Sequence, residues 1–123
     1  MRFRIDIDVF GYSVYFFFGI EESNRFIKDT GVESVDFSSR GFTSNNASWI
    51  KNDNDMGSII HESHHLKKFL VDRLGIKDEE TEAYLITYIV EETAHKIQKI
   101  KAKEKNGGKE TVKSDLPDGI ELA

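Results

Sequence analysis

Three of the chain's four histidines fall within five consecutive residues, His61-Glu62-Ser63-His64-His65. The order satisfies H-E-x-x-H, with the outer histidines four residues apart. On a helix that spacing stacks His61 and His65 on one face, so two imidazoles can share one ion. Zinc takes histidine nitrogens at about 2.0–2.1 Å and, in catalytic sites, combines three protein ligands with one water. Glu62 lies one residue along, on the edge of the same face. There its carboxylate can accept a proton from a metal-bound water without binding the metal. His64 is turned about 100° from His65 and reads as a rim histidine outside the ligand pair.

The elements around this cluster must be helical for the spacing to matter. From Ser58 to Leu74 the apolar residues Ile59, Ile60, Leu66, Phe69, Leu70 and Leu74 recur at helical spacing, with Asp55 or Ser58 as the cap and Gly75 as the stop. Asp78 caps a second helix, whose first turn carries Glu79 and Glu80 where the helix dipole favours acids. Its inward stripe is read through Ala83, Ile86, Thr87, Val90, Ala94 and Ile97, ending near Lys99. A third metal ligand from this helix would be Glu79, Glu80 or Glu82. Extending the stripe backward from Ala83 reaches Glu79 and Glu80, and Glu82 lies four residues before Ile86. Tyr84 follows Glu80 by one turn and is read as packing beneath the site. Asp72, seven residues after His65, returns to the histidine face and is read as solvated.

The paired segments resemble small H-E-x-x-H proteins of the gluzincin type, compact forms of which occur in phages and bacteria. In these an E-x-x-A-Y-L-x-x-Y helix follows the H-E-x-x-H helix. Glu80, Ala83, Tyr84, Leu85 and Tyr88 stand at those places within "ETEAYLITY". The likeness covers residues 56 to 92 and implies Glu80 as the third ligand, giving one zinc per chain on His61, His65 and Glu80. In zincins generally an edge strand above the helix binds an extended peptide, which by resemblance places the substrate strand within Gly41 to Lys51. Trp49, in that segment, is read as core.

The N-terminal half supplies the sheet. Phe3, Ile5, Ile7 and Val9 alternate with Arg2, Arg4, Asp6 and Asp8, the period of a half-buried strand. Gly11 marks a turn into the aromatic and β-branched run Tyr12 to Phe18, a second and more buried strand. This stretch reads as a folded hairpin rather than a signal sequence or anchor, because Asp6 and Asp8 interrupt its approach and Gly11 breaks its apolar run. Glu21 to Thr30 is a short helix closed by Gly31, and Val35 to Phe37 a short strand.

Together these features predict an α+β fold in which a small, mostly antiparallel sheet packs on the H-E-x-x-H helix and the helix after it. Residues 1–99 form the domain, and 100–123 a polar, disordered tail with two adjacent glycines and the only proline. At 123 residues with a net charge of −5, the chain is one acidic domain, which argues against nucleic acid as a partner. No apolar run is long enough for a membrane span. The chain has no cysteine, which excludes disulfides and thiolate metal sites and suits a reducing cytoplasm, that of the host if the protein is phage-encoded. The expected function is a zinc-dependent hydrolase of the metallopeptidase type, with Glu62 as the base and a peptide or protein as substrate. The alternative is a non-catalytic, metal-stabilised binding protein.

Overall fold

A computed structural model describes residues 1–107. It contains β1 (Arg2–Ile7), β2 (Tyr12–Phe18), α1 (Ser23–Thr30), β3 (Gly41–Ser44), β4 (Ala47–Ile50), α2 (Met56–Leu74) and α3 (Glu79–Gly107). The four strands form one mixed sheet in the order β1-β2-β4-β3. β1 pairs antiparallel with β2, β2 parallel with β4, and β4 antiparallel with β3. The α+β class is therefore as expected. The parallel β2–β4 contact was not: after α1 the chain starts β3 at the end of the sheet where β2 finished, runs back along the edge, and returns as β4 between β3 and β2.

Alternation decides which face each strand residue serves. Phe3, Ile5 and Ile7 of β1 join Val14, Phe16 and Phe18 of β2 on one face. There they meet Ile59, Leu66 and Leu70 of α2 and Leu85, Ile89, Ile97 and Ile100 of α3. Tyr15, Phe17, Ala47 and Trp49 face the other way, onto Phe26 of α1 and the buried Val35. Trp49 is core, as expected; it is fully buried and its indole N–H donates to the Gly19 carbonyl at 2.8 Å. Burying a large aromatic with its one donor satisfied is the low-cost way to place tryptophan inside.

Several sequence expectations change in detail. Val35 to Phe37 forms no strand. The segment Gly41 to Lys51 is a complete hairpin, turned at Asn45 (φ 54°) and Asn46. Asparagine tolerates this left-handed backbone better than most residues, which suits it to so tight a turn. Helix α2 begins at Met56, capped by Asp55, whose carboxylate accepts from the Ser58 amide at 3.2 Å. Helix α3 runs on to Gly107, past the expected end at Lys99. Of the expected tail, residues 108–123 lie outside the described residues.

The buried stripe of α3 is also displaced. It passes through Leu85, Ile89, Thr93, Ile97 and Ile100, whereas Ala83 and Thr87 are exposed. Both sets fit helical spacing, but the branched side chains bury more apolar surface and so win the contact. This rotation of the helix determines which first-turn acid faces α2.

Candidate functional site

Around the axis of α2, Ile59, Glu62, Ser63, Leu66 and Leu70 form the buried side. At 100° per residue, His61, His65, Lys68 and Asp72 fall together on the opposite side. That stripe leans toward β3, and the space between forms a groove of about 470 Å³. Gly41, Thr43 and Asn45 line its strand wall, and His61, Glu62, His65 and Asp72 its helix wall.

The two imidazoles meet as the sequence requires. His61 Nε2 and His65 Nε2 are 3.3 Å apart, with ring planes at 75°. One ring donates to the other, with the tautomers fixing which. His64 is exposed on the side, as expected of a rim residue. Partial desolvation, followed by the nearby Lys67, His65, His61 and Lys68, lowers its pKa from the ordinary histidine value and favours the neutral ring.

Glu62 differs in kind from its neighbours: its side chain is 6% exposed, against 67% for His61. Its Oε1 accepts from Thr43 Oγ1 at 2.8 Å, and Thr43 Oγ1 also meets Ser48 Oγ at 2.6 Å. Its Oε2 lies 4.0 Å from His61 Nε2. The sheet makes room for the carboxylate at Gly41, where an added Cβ would stand 2.9 Å from Oε2 and 3.1 Å from the Trp49 carbonyl oxygen. Thus the face that is aromatic under β1 and β2 becomes small and polar at Gly41, Thr43 and Ser48, and a buried carboxylate fits there because it is hydrogen-bonded. These three residues were missed in the sequence. Their signal was present, since Gly41 and Thr43 alternate with Phe42.

The strand wall also offers backbone. The Lys51 amide donates to the Arg40 carbonyl at 3.0 Å, which makes 40/51 a hydrogen-bonded pair of the β3–β4 ladder. Alternation along the ladder then makes 42/49 and 44/47 bonded pairs as well. The main-chain groups of Gly41 and Thr43 consequently point away from β4, along the open edge of the sheet. Phe42 projects to the α1 face, edge-on to Phe26 with ring centres 6.3 Å apart, and remains 44% exposed.

Helix α3 approaches α2 from the other flank. Lys67 Nζ pairs with Glu82 Oε1 at 3.4 Å, and Lys67 stands about 200° around the helix from His65. The acid facing α2 is therefore Glu82, and it binds a lysine. Glu79 and Glu80 are exposed. Tyr84 is 74% exposed rather than packed beneath a site. Asp72 pairs with Lys68 at 3.5 Å on the groove rim.

These positions overturn the gluzincin resemblance. Among the described residues no group of three or more His, Cys, Asp or Glu side chains is placed to hold a metal ion. The physical reason is the rotation of α3, which leaves Glu80 away from the histidine face. The imidazole pair alone suits one ion, since two tetrahedral zinc–nitrogen bonds span about 3.3–3.4 Å. The complete His61, His65 and Glu80 set does not fit. No helix among the described residues is long and apolar enough to cross a membrane. Compared with protein-family models, curated proteins and solved structures, the chain matches none.

Proposed function

We propose that this protein is a binding module that receives an extended segment of a protein partner as an added strand along β3. His61, Glu62 and His65 form the polar wall of the groove it enters. The observation that carries the reading is the outward aim of the Gly41 and Thr43 main-chain groups beside that groove. Strand addition draws affinity from such unpaired backbone groups and specificity from side chains that alternate between two faces. Here one face would meet Glu62 and the imidazoles, the other Phe42. A cytoplasmic location, suggested by the cysteine-free sequence, belongs to the same proposal.

The test is selection of binders from random heptapeptides, followed by competition among them and binding to Thr43→Pro. Proline removes the outward N–H of Thr43 while leaving the bonded 42/49 and 44/47 pairs. Peptides that bind wild type and Thr43→Val but lose affinity for Thr43→Pro support strand addition. Peptides indifferent to the proline contradict it.

A second reading is a zinc-dependent hydrolase with one Zn²⁺ per chain and Glu62 as the base. It is favoured by the 3.3 Å separation of the imidazoles and by the fixed carboxylate between Gly41 and Thr43. Among the described residues the helix supplies two imidazoles and no third ligand beside them. Cleavage of a captured peptide that disappears in Glu62→Gln with the fold intact would support this reading. Capture without cleavage, in protein loaded with zinc, would leave the binding module alone.

A further inference from the structure

The rotation that carries Leu85 and Ile89 into the core leaves α3 with a second periodic stripe on its outer side. Of its members, Ala83 and Thr87 are exposed and Val90 and Ala94 half-buried. Helix α2 borders this stripe. Lys67 of α2 pairs with Glu82 of α3, and Lys101 of α3 pairs with Asp53 just ahead of α2. These two ties set the helices antiparallel and bring Met56 and Ile60 level with residues 90 to 97. Both are large apolar side chains, 45% and 47% exposed. At 100° per residue Ile60 stands within about 20° of Lys67, on the α3 flank, and about 140° from His65. The patch is therefore separate from the groove at β3. Single exposed apolar residues are ordinary on a surface, but a run shared by two adjacent helices marks a contact face.

We infer that this face joins two copies of the chain, with the α3 helices packed antiparallel about a two-fold axis. The charge along α3 selects that occupant. From Glu79 to Glu92 the helix carries five acids and no base, and from Thr93 to Lys105 five lysines and one acid. The helix dipole favours such a bias only in the first and last turns, so it does not account for Glu91, Glu92 and Lys96 at the middle. A second copy laid antiparallel puts each acidic half against a basic half, whereas a parallel one sets like on like. The sign changes beside Val90 and Ala94, level with Met56 and Ile60. An axis near residue 92 therefore packs Val90 of one chain on Ala94 of the other. It also brings Glu79 opposite Lys105 of the second copy, each about 20 Å along the helix from the axis. Both residues are exposed. The apolar centre supplies the affinity, and the exposed charges fix the direction of pairing. The face is independent of the strand-addition reading, and the dimer leaves both β3 grooves open.

The experiment is sedimentation equilibrium of the full chain over a range of concentrations. At about 100 μM the mass should be twice the 14.1 kDa of one chain. Ile60→Glu and Val90→Glu should each raise the dissociation constant by about tenfold or more, with circular dichroism as the check on folding. Glu79→Lys and Lys105→Glu, both at exposed positions, should each weaken the dimer by about threefold or more at low salt, and the double variant should recover wild-type association. That recovery is specific to antiparallel pairing and would not follow from damage to the fold. A full chain that is monomeric at every concentration overturns the inference and gives the face to another occupant, whether residues 108–123 or a different protein. A dimer indifferent to Ile60→Glu and Val90→Glu has its interface elsewhere and equally overturns it. Charge reversals that change nothing, or a double variant weaker than either single one, overturn the antiparallel arrangement.

Discussion

The two sides of α2 are built to different rules. One side, Ile59, Leu66 and Leu70, is fully buried against an aromatic sheet. The other side carries His61, His65, Lys68 and Asp72 over an open groove, and its side chains are held by little besides one another. Glu62 sits on the border and belongs to both, buried like the first side and polar like the second. The contrast predicts that the exposed histidine face of this helix contributes little to folding, whereas the buried carboxylate at its border contributes to packing through Thr43 and Gly41.

The contrast can be broken most severely at the core. Leu66→Ala removes a fully buried side chain and should cost about 2–5 kcal/mol of unfolding free energy in urea titration. A cost below about 1 kcal/mol would mean that α2 is not packed as described. Gly41→Ala tests the border. Its Cβ must displace both the Glu62 carboxylate and the Trp49 carbonyl, for about 1–3 kcal/mol. If the carboxylate is the main obstacle, the same substitution should cost less in a Glu62→Ala background, and a double-mutant cycle measures the difference. On the open face, His61→Ala and His65→Ala should each stay within about 0.5 kcal/mol of wild type in the absence of metal.

The helix cap gives a pH-dependent comparison. Arg40, which donates to Asp55 Oδ2 at 2.7 Å, and after it Ser58 hold the Asp55 carboxyl well below its usual 3.8. A carboxyl with a depressed folded-state pKa contributes stability that is complete above the unfolded value and fades as pH falls below it. The melting-temperature gap between wild type and Asp55→Asn should therefore be constant from pH 7 to about pH 5 and shrink below about pH 4. A gap that widens on acidification would contradict the pairing. The smallest effect is expected at Ser63, whose buried hydroxyl has no partner among the described residues. Ser63→Ala should be neutral or slightly stabilising, because it deletes an unsatisfied group.

Much of this was legible in the residues themselves. Strict alternation in Phe3, Ile5 and Ile7 placed β1, and the spacing of His61 and His65 placed both imidazoles on one face. The α3 surface was not legible, because the stripe through Ala83 and Thr87 and the stripe through Leu85 and Ile89 are both periodic. Only packing against β1 and α2 chooses the larger side chains, and that choice carried Glu80 away from the histidines. The hairpin in Gly41 to Lys51 was hidden by its polar residues. Thr43 and Ser48 looked like loop chemistry because their partner, Glu62, is distant in sequence.

The most direct measurement is amide hydrogen exchange at Thr43 in labelled protein, with and without a saturating heptapeptide selected for binding. In the free chain the Thr43 amide, aimed outward along the edge, should exchange rapidly while that of Phe42 is protected by the ladder. With peptide bound, Thr43 should slow by about tenfold or more, as its N–H acquires a strand partner. Unchanged exchange at Thr43 with the peptide demonstrably bound would mean that the partner does not extend the sheet, and the function proposed for this groove would be wrong.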